Sequence, residues 1–166
     1  MKILSPAKIN LFLHICGKRA DGYHELFSLM CRVTLFDELT LQIGSGKIIE
    51  IDCCHPDVPA DDTNLAHRAA SLFQSKLNSA QGVNIHLNKK IPVAAGLGGG
   101  SSNAATVLMV LNRRHRNPFS EAELSAMGAS LGADIPFFLQ GRPALVGGIG
   151  EITQAVSTLP RIPLVL

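Results

Sequence analysis

Pro92-Val93-Ala94-Ala95-Gly96-Leu97-Gly98-Gly99-Gly100-Ser101-Ser102-Asn103-Ala104-Ala105 joins a strand pattern at 83–87 (Val-Asn-Ile-His-Leu) to a small-residue helical pattern running from about Ser102 to Asn112. Four glycines fall within the five positions 96–100, more than any turn requires. Glycine lets successive backbone N–H groups converge without a Cβ in the way. The helix that follows offers unpaired amides and the positive end of its dipole to an anion. The stretch therefore reads as a phosphate cradle. Ser101 and Ser102 add hydroxyls that can donate to phosphate or ligate Mg²⁺, and Ala104 and Ala105 let the helix sit close on a sheet.

Two common phosphate loops are excluded. The pattern G-x-x-x-x-G-K-[ST] fails because no lysine follows these glycines. The dinucleotide pattern G-x-G-x-x-G fails because Ser101 stands at the third glycine, and residues 113–116 are Arg-Arg-His-Arg where an acidic residue belongs.

Upstream of the loop, Ile9, Leu11, Leu13 and Ile15 alternate, which predicts a strand over 9–15 with those residues facing the core. Lys8 and Asn10 then lie on the opposite face, turned toward a cleft. Residues 26–35 predict a second strand. Residues 38–43 and 47–53 predict two more, joined as a hairpin by Gly44-Ser45-Gly46. Asp61-Asp62-Thr63 supplies capping chemistry for a helix marked by Leu65, Ala69, Leu72, Phe73 and Leu77. Downstream, Ser120-Glu-Ala-Glu123 is a capping box for a helix to Leu131. Residues 134–139 form a turn or short helix, and 143–147 and 161–166 read as strands. The order, strands first and helices later, predicts an α+β domain whose opening third is mostly antiparallel.

The chain has 166 residues, 46% apolar and 17% charged, enough for one sizeable core and unlike a disordered chain. A net charge of +2 gives no basic stripe for nucleic acid or an anionic membrane. No apolar run reaches the ~18 residues of a membrane span. The opening residues lack signal or transit composition, which predicts a cytoplasmic protein. Cys16, Cys31, Cys53 and Cys54 include no C-x-x-C pair and read as reduced thiols. His14, His55, His67, His86 and His115 show no metal-ligand spacing, and no metal-binding side chains are assigned. Arg113, Arg114 and Arg116 complement a helix's C-terminal end.

The loop resembles that of the GHMP kinases. Two more blocks, in the same order as in that family, strengthen the likeness: Ser5-Pro6-Ala7-Lys8-Ile9-Asn10-Leu11 with Asp21-Gly22-Tyr23-His24-Glu25-Leu26, and Leu131-Gly132-Ala133-Asp134-Ile135-Pro136-Phe137-Phe138. Within the family the likeness is to the branch that phosphorylates the 2-hydroxyl of a cytidine-diphosphate-linked methylerythritol with ATP and Mg²⁺, on the non-mevalonate isoprenoid route. It implies a ribosomal-protein-like lobe: an antiparallel sheet with a left-handed β-α-β unit and helices on one side. It implies that residues 92–102 bind ATP.

The same likeness implies roles for single residues. Asp134 matches the catalytic aspartate, which takes or orients the proton of the attacking hydroxyl; alternatively it caps the short helix before Pro136. Lys8 matches the catalytic lysine, holding that carboxylate ionised and steadying charge on the acceptor oxygen; a solvated strand-end lysine is the competing reading. Asn10 matches a residue that bonds the acceptor alcohol or a phosphate. Tyr23 and His24 match the cytidine site, a stacking ring beside an edge reader; Tyr23 could equally be an exposed turn residue after Asp21-Gly22. Asn64 falls where the family contacts adenine, with helix capping by Asp62, Thr63 or Asn64 as the alternative. The likeness also implies a second lobe. Residues 1–155 then form the N-terminal lobe and 156–166 open the next. The isolated chain is expected to have little or no kinase activity, and its apolar ending to be a frayed strand open to self-association. An RNA- or ligand-binding module of the same fold remains the alternative function.

Overall fold

The computed structural model describes residues 2–44, 46–79, 81–157 and 159–166. Two long strands, β1 (Lys2–Lys18) and β2 (His24–Gly44), pair antiparallel along nearly their whole length. The residues expected to form separate strands at 26–35 and 38–43 are thus one strand. Beyond β2 the chain forms β3 (Ile49–Cys53), α1 (Leu65–Leu77), β4 (Gly82–Asn88), α2 (Gly99–Arg114), α3 (Glu121–Leu131), α4 (Ile135–Gln140), β5 (Ala144–Gly147) and β6 (Ile152–Ala155). β2 is the spine of the sheet. Its C-terminal half pairs with β4 and its N-terminal half with β5, both antiparallel. β3 runs parallel to β4, and β6 antiparallel to β5.

This pairing corrects the expected hairpin. β3 does not pair with β2, because β4 lies between them, with Ile43 opposite Val83 and Ile49 opposite that same Val83. β3, α1 and β4 therefore form a parallel β-α-β unit, and the link across Gly44 and Gly46 is a crossover. Ser45, the centre of the expected turn, lies outside the described residues. The local glycine signal was sound for a chain reversal and silent about which strand would fill the space.

The core lies between the sheet and the helices. From the sheet come Leu39, Leu41, Ile51, Val83, Ile85 and Leu87; from the helices come Ala69, Phe73, Val107, Leu108, Leu111, Phe137 and Phe138. β4 alternates as its sequence predicts, burying Val83, Ile85 and Leu87 while Asn84, His86 and Asn88 face out. Burying one such large apolar side chain contributes about 1.5–3 kcal/mol.

β1 breaks the parity expected of it. Ile9, Leu11, Leu13 and Ile15 do not join the core, and Leu13 and Ile15 are exposed. The ladder slips between Pro6 and Lys8, whose partners on β2 are Phe36 and Arg32, and again between Asn10 and Phe12. Ala7 and Lys8 are consequently both buried, although neighbours on a regular strand face opposite ways. The irregularity brings Lys8 to the helix side of the sheet.

α2 starts three residues earlier than expected, at Gly99, so two glycines and Ser101 form its first turn. α3 keeps its expected bounds and its full capping box, Ser120 with Glu123. Residues 161–166 form no strand, which corrects the strand expected there; all six are exposed, and residues 161–164 and Leu166 border an open cleft shared with Leu11 and Arg32. All four cysteines are free. No helix among the described residues is long and apolar enough to cross a membrane.

Candidate active site

The loop after β4 reaches α2 through left-handed backbone at Ala94 (φ 57°), Gly96 (φ 73°) and Gly98 (φ 69°). Gly98 is the N-cap of α2 and offers no side-chain cap. Ser102 donates its amide to Gly98 O at 2.9 Å, which leaves the Gly99, Gly100 and Ser101 amides without a partner inside the helix. At two positions a side chain would be crowded as well. A Cβ on Gly98 would stand 3.0 Å from Lys8 Cγ and from the Phe138 ring, and one on Gly99 would stand 2.9 Å from Lys89 Nζ. The loop borders an open cleft of about 380 Å³, whose other wall includes Val58, Pro59, Asn64 and Leu65. Every residue from Pro92 to Ser101 lines it.

Ser102 is placed differently from the rest of the loop. It is fully buried, and its hydroxyl accepts a hydrogen bond from Ser5 Oγ of β1 at 2.8 Å. Ser101 is the loop hydroxyl at the cleft. Asn64 lines the cleft too, yet both ends of its amide are engaged. Oδ1 accepts from Ala66 N at 2.9 Å as the N-cap of α1, and Nδ2 donates to Pro59 O at 2.7 Å. The residue that caps this helix is Asn64, while Asp61 accepts from the amide and hydroxyl of Thr63.

Lys8 and Asp134, far apart in sequence, meet beside Gly98. Lys8 Nζ lies 3.5 Å from Asp134 Oδ2, and the Lys8 amide donates to Leu97 O at 2.9 Å. The strand that carries the cation is thereby fastened to the glycine loop. Lys8 is only 7% exposed, whereas the Asp134 side chain is 28% exposed. Asp134 occupies the N-cap position of α4 without making a side-chain cap bond. Its carboxylate is therefore open on the side away from Lys8 and free to accept from a hydroxyl.

A polar chain fixes the ammonium. Lys8 Nζ donates to Asn10 Oδ1 at 2.7 Å, Asn10 Nδ2 donates to Ser28 Oγ at 2.7 Å, and Ser28 Oγ donates to Phe12 O at 2.7 Å. Asn10 thus has its carbonyl on Lys8 and one amide hydrogen on Ser28. On the other side of α4, Arg32 of β2 donates to Phe138 O; its burial lowers the guanidinium pKa from its ordinary value.

Tyr23 and His24 lie elsewhere. They occupy the tip of the β1–β2 hairpin, where Asp21 Oδ1 accepts from Tyr23 N at 3.1 Å and Arg19 N donates to Tyr23 O at 2.7 Å. Tyr23 is 60% exposed. His24 pairs with Lys18, ten residues along β1 from Lys8 and past two register shifts; Leu26, two residues beyond His24, donates to Gly148 O at 2.7 Å, and a Cβ on nearby Gly150 would stand 3.8 Å from Asp134 Oδ1. No hydrogen bond or ion pair among the described residues joins these two residues directly to the Lys8–Asp134 pair.

Sequence reasoning missed a second cluster beneath the loop. Asp37, fully buried on β2, accepts from Lys90 N at 2.7 Å and Ile91 N at 2.9 Å through Oδ1. Its Oδ2 accepts from Lys89 Nζ and, at 3.0 Å, from Asn103 Nδ2. Asn103 also donates to Ser5 Oγ at 3.1 Å. The available signal was an aspartate inside an apolar strand run, Leu35-Phe36-Asp37-Glu38-Leu39, and a lysine pair just before the loop. Among the described residues, no group of three or more His, Cys, Asp or Glu side chains could hold a metal ion.

Residues 64–142 match the family described as GHMP kinases N terminal domain. Along its whole length the chain is 48% identical to a 4-diphosphocytidyl-2-C-methyl-D-erythritol kinase of Syntrophus aciditrophicus, covering 59% of that protein. A kinase of the same name from Syntrophotalea carbinolica is 47% identical over 98% of the chain, which covers 58% of it. The crystal structure of a 4-(cytidine 5'-diphospho)-2C-methyl-D-erythritol kinase superposes with a TM-score of 0.82 at 39% identity, over 98% of this chain and 61% of that one. A mevalonate kinase structure shares the fold at a TM-score of 0.69 and 16% identity, over 95% of this chain and 56% of that one. The chain thus spans little more than half the length of the curated relatives it matches.

Proposed function

We propose that this chain, matched by the GHMP kinases N terminal domain model over residues 64–142, forms the nucleotide-binding N-terminal lobe of a cytoplasmic kinase of that family acting on 4-diphosphocytidyl-2-C-methyl-D-erythritol. ATP is the phosphoryl donor and the 2-hydroxyl of the methylerythritol the acceptor. The observation that carries this reading is the ion pair between Asp134 and Lys8, whose side chain packs against Gly98 of the N–H-lined loop.

Phosphoryl transfer needs little covalent help from a protein; positioning and charge neutralisation do most of the work. Here the loop from Pro92 to Ser101 cradles the phosphates, with the Gly99, Gly100 and Ser101 amides and the α2 dipole facing them. Asp134 accepts the proton of the attacking hydroxyl, or orients it, through its exposed carboxylate oxygen. Lys8, 3.5 Å from that carboxylate, offers its ammonium to the oxygen that develops charge. Asn10 and Ser28 hold Lys8 in place. Mg²⁺ bound with ATP would supply charge neutralisation, and the oxygens of Ser101 and Asp134 would be the side-chain donors to hold it beside the phosphates. Asn64, already engaged in capping, shapes the adenine end of the cleft.

Tyr23 and His24 recognise the cytosine, the ring by stacking and the imidazole by its hydrogen-bonding edge. An exposed ring on a hairpin tip suits a ligand that bridges from the tip toward the loop. The test uses the chain's lone Tyr and lack of Trp. CDP should quench the tyrosine fluorescence, and Tyr23→Leu, followed by calorimetry, should cost about 1–3 kcal/mol of CDP binding, while ATP binds with no change at Tyr23. Tighter binding of mevalonate than of CDP would refute the substrate assignment.

A further inference from the structure

We propose that Asp37 is the positioning residue of the nucleotide loop, acting through Lys89 and Asn103 on the first turn of α2. The inference rests on the nucleotide-binding reading above. It starts from the cost of placing a carboxylate where no water reaches it. A buried charge persists only if paired and fully hydrogen-bonded, and Asp37 meets both conditions. Each of its oxygens takes two donors, filling the four lone-pair sites of a carboxylate.

Its two oxygens serve different parts of the fold. Oδ1 holds the Lys90 and Ile91 amides, where the chain leaves β4 and enters the loop. Oδ2 holds the side chains of Lys89 and Asn103. Lys89 Nζ sits directly under Gly99, close enough that a methyl group there would meet it. Asn103 lies one turn into α2 and carries the link onward to Ser5 of β1, whose hydroxyl binds Ser102. One carboxylate thus ties together the start of the loop, its exit into α2 and the strand that bears Lys8. Asp37 touches neither the cleft nor the Lys8–Asp134 pair, so it acts on the nucleotide only through these intermediaries.

Asp37→Asn separates the two halves. The amide oxygen still accepts from the backbone at residues 90 and 91, but its NH₂ faces two donors, the Lys89 ammonium and the Asn103 amide. Titration with ATP·Mg²⁺ and with CDP, together with amide hydrogen exchange at Lys8 and Ser102, reads the result on the intact chain. These two amides report the loop directly through Leu97 O and Gly98 O. D37N should weaken ATP binding at least tenfold, leave CDP binding within twofold, and speed exchange at both amides at least tenfold. D37N/K89M removes the stranded ammonium, so its melting temperature should recover toward wild type while its ATP affinity does not.

Recovery of ATP affinity in the double variant would overturn the proposal, since Asp37 would then only be satisfying a buried charge. So would ATP affinity within twofold of wild type and unchanged exchange in D37N. A wild-type chain that binds no ATP would instead refute the nucleotide-binding reading, and the exchange rates would still decide whether Asp37 orders the loop.

Discussion

The two ends of the β1–β2 hairpin are built in opposite ways. At the loop end, Lys8 and Asp37 are buried and their charged atoms all have named partners. At the tip, Tyr23 and His24 stand in water on a turn held by Asp21 and Arg19. Rigid placement suits chemistry that depends on positioning, where small displacements are costly. An open aromatic on a turn suits capture of a base whose π-face makes little demand on geometry. Substitutions at the loop end should therefore change both stability and chemistry, and those at the tip should change affinity alone.

The largest effect should come from Asp134→Ala. In a chimera that supplies the remaining length from one of its relatives, turnover in a coupled ADP-release assay should fall about 10²–10⁴-fold. ATP affinity should stay within a few-fold. Turnover close to that of the parent would remove Asp134 from the chemistry. Next comes Gly98→Ala, which puts a Cβ against Lys8 and Phe138 on a left-handed backbone. It should lower stability by about 1–3 kcal/mol in urea unfolding and weaken ATP binding at least tenfold. A neutral result would mean that the close approach of the loop to β1 is not needed.

At the tip, Tyr23→Ala should leave stability within about 0.5 kcal/mol of wild type. It should also cost about 1–3 kcal/mol of CDP binding by calorimetry. Loss of stability would show that the tip is structural, which would dissolve the contrast between the two ends.

The smallest effect concerns Glu38, beside Asp37 on β2. Hydrogen bonds from Lys2 and Lys90 hold its pKa down to about 2. A folded-state value below the ordinary one stabilises the protein above the ordinary carboxylate range. That contribution fades as the pH falls from about 4.5 to about 2. Glu38→Gln should therefore unfold more readily than wild type at neutral pH, by a small and salt-sensitive margin. The difference in urea midpoint should vanish below pH 2. A difference that grew on acidification would reverse the sign and contradict the ion pairing.

The sequence was most informative where the signal is local. Ser120 and Glu123 satisfy one another within a single turn, so the capping box and its helix could be read directly. The glycine run likewise announced a helix N-terminus, because Gly98 takes left-handed backbone at the N-cap, pressed against Lys8 and Phe138. Long-range choices were not legible. β3 carries the same apolar alternation whether it pairs with β2 or β4, and only the three-dimensional path through α1 selects β4. The core face of β1 was misjudged for a related reason. A period of two holds only while the ladder is regular, and β1 slips between Pro6 and Lys8. Family likeness named Lys8 and Asp134, which the fold then brought within 3.5 Å. It did not name Asp37 and Lys89, whose roles depend on partners spread over β1, β2, β4 and α2.

Backbone amide chemical shifts during titration with ATP·Mg²⁺ test the central claim most directly. Saturable shifts should concentrate at Gly96–Ser102 and at Lys8, with Tyr23 and His24 unmoved. Absence of binding, or shifts centred on the hairpin tip with the glycine loop silent, would contradict the assignment of this loop as the phosphate site.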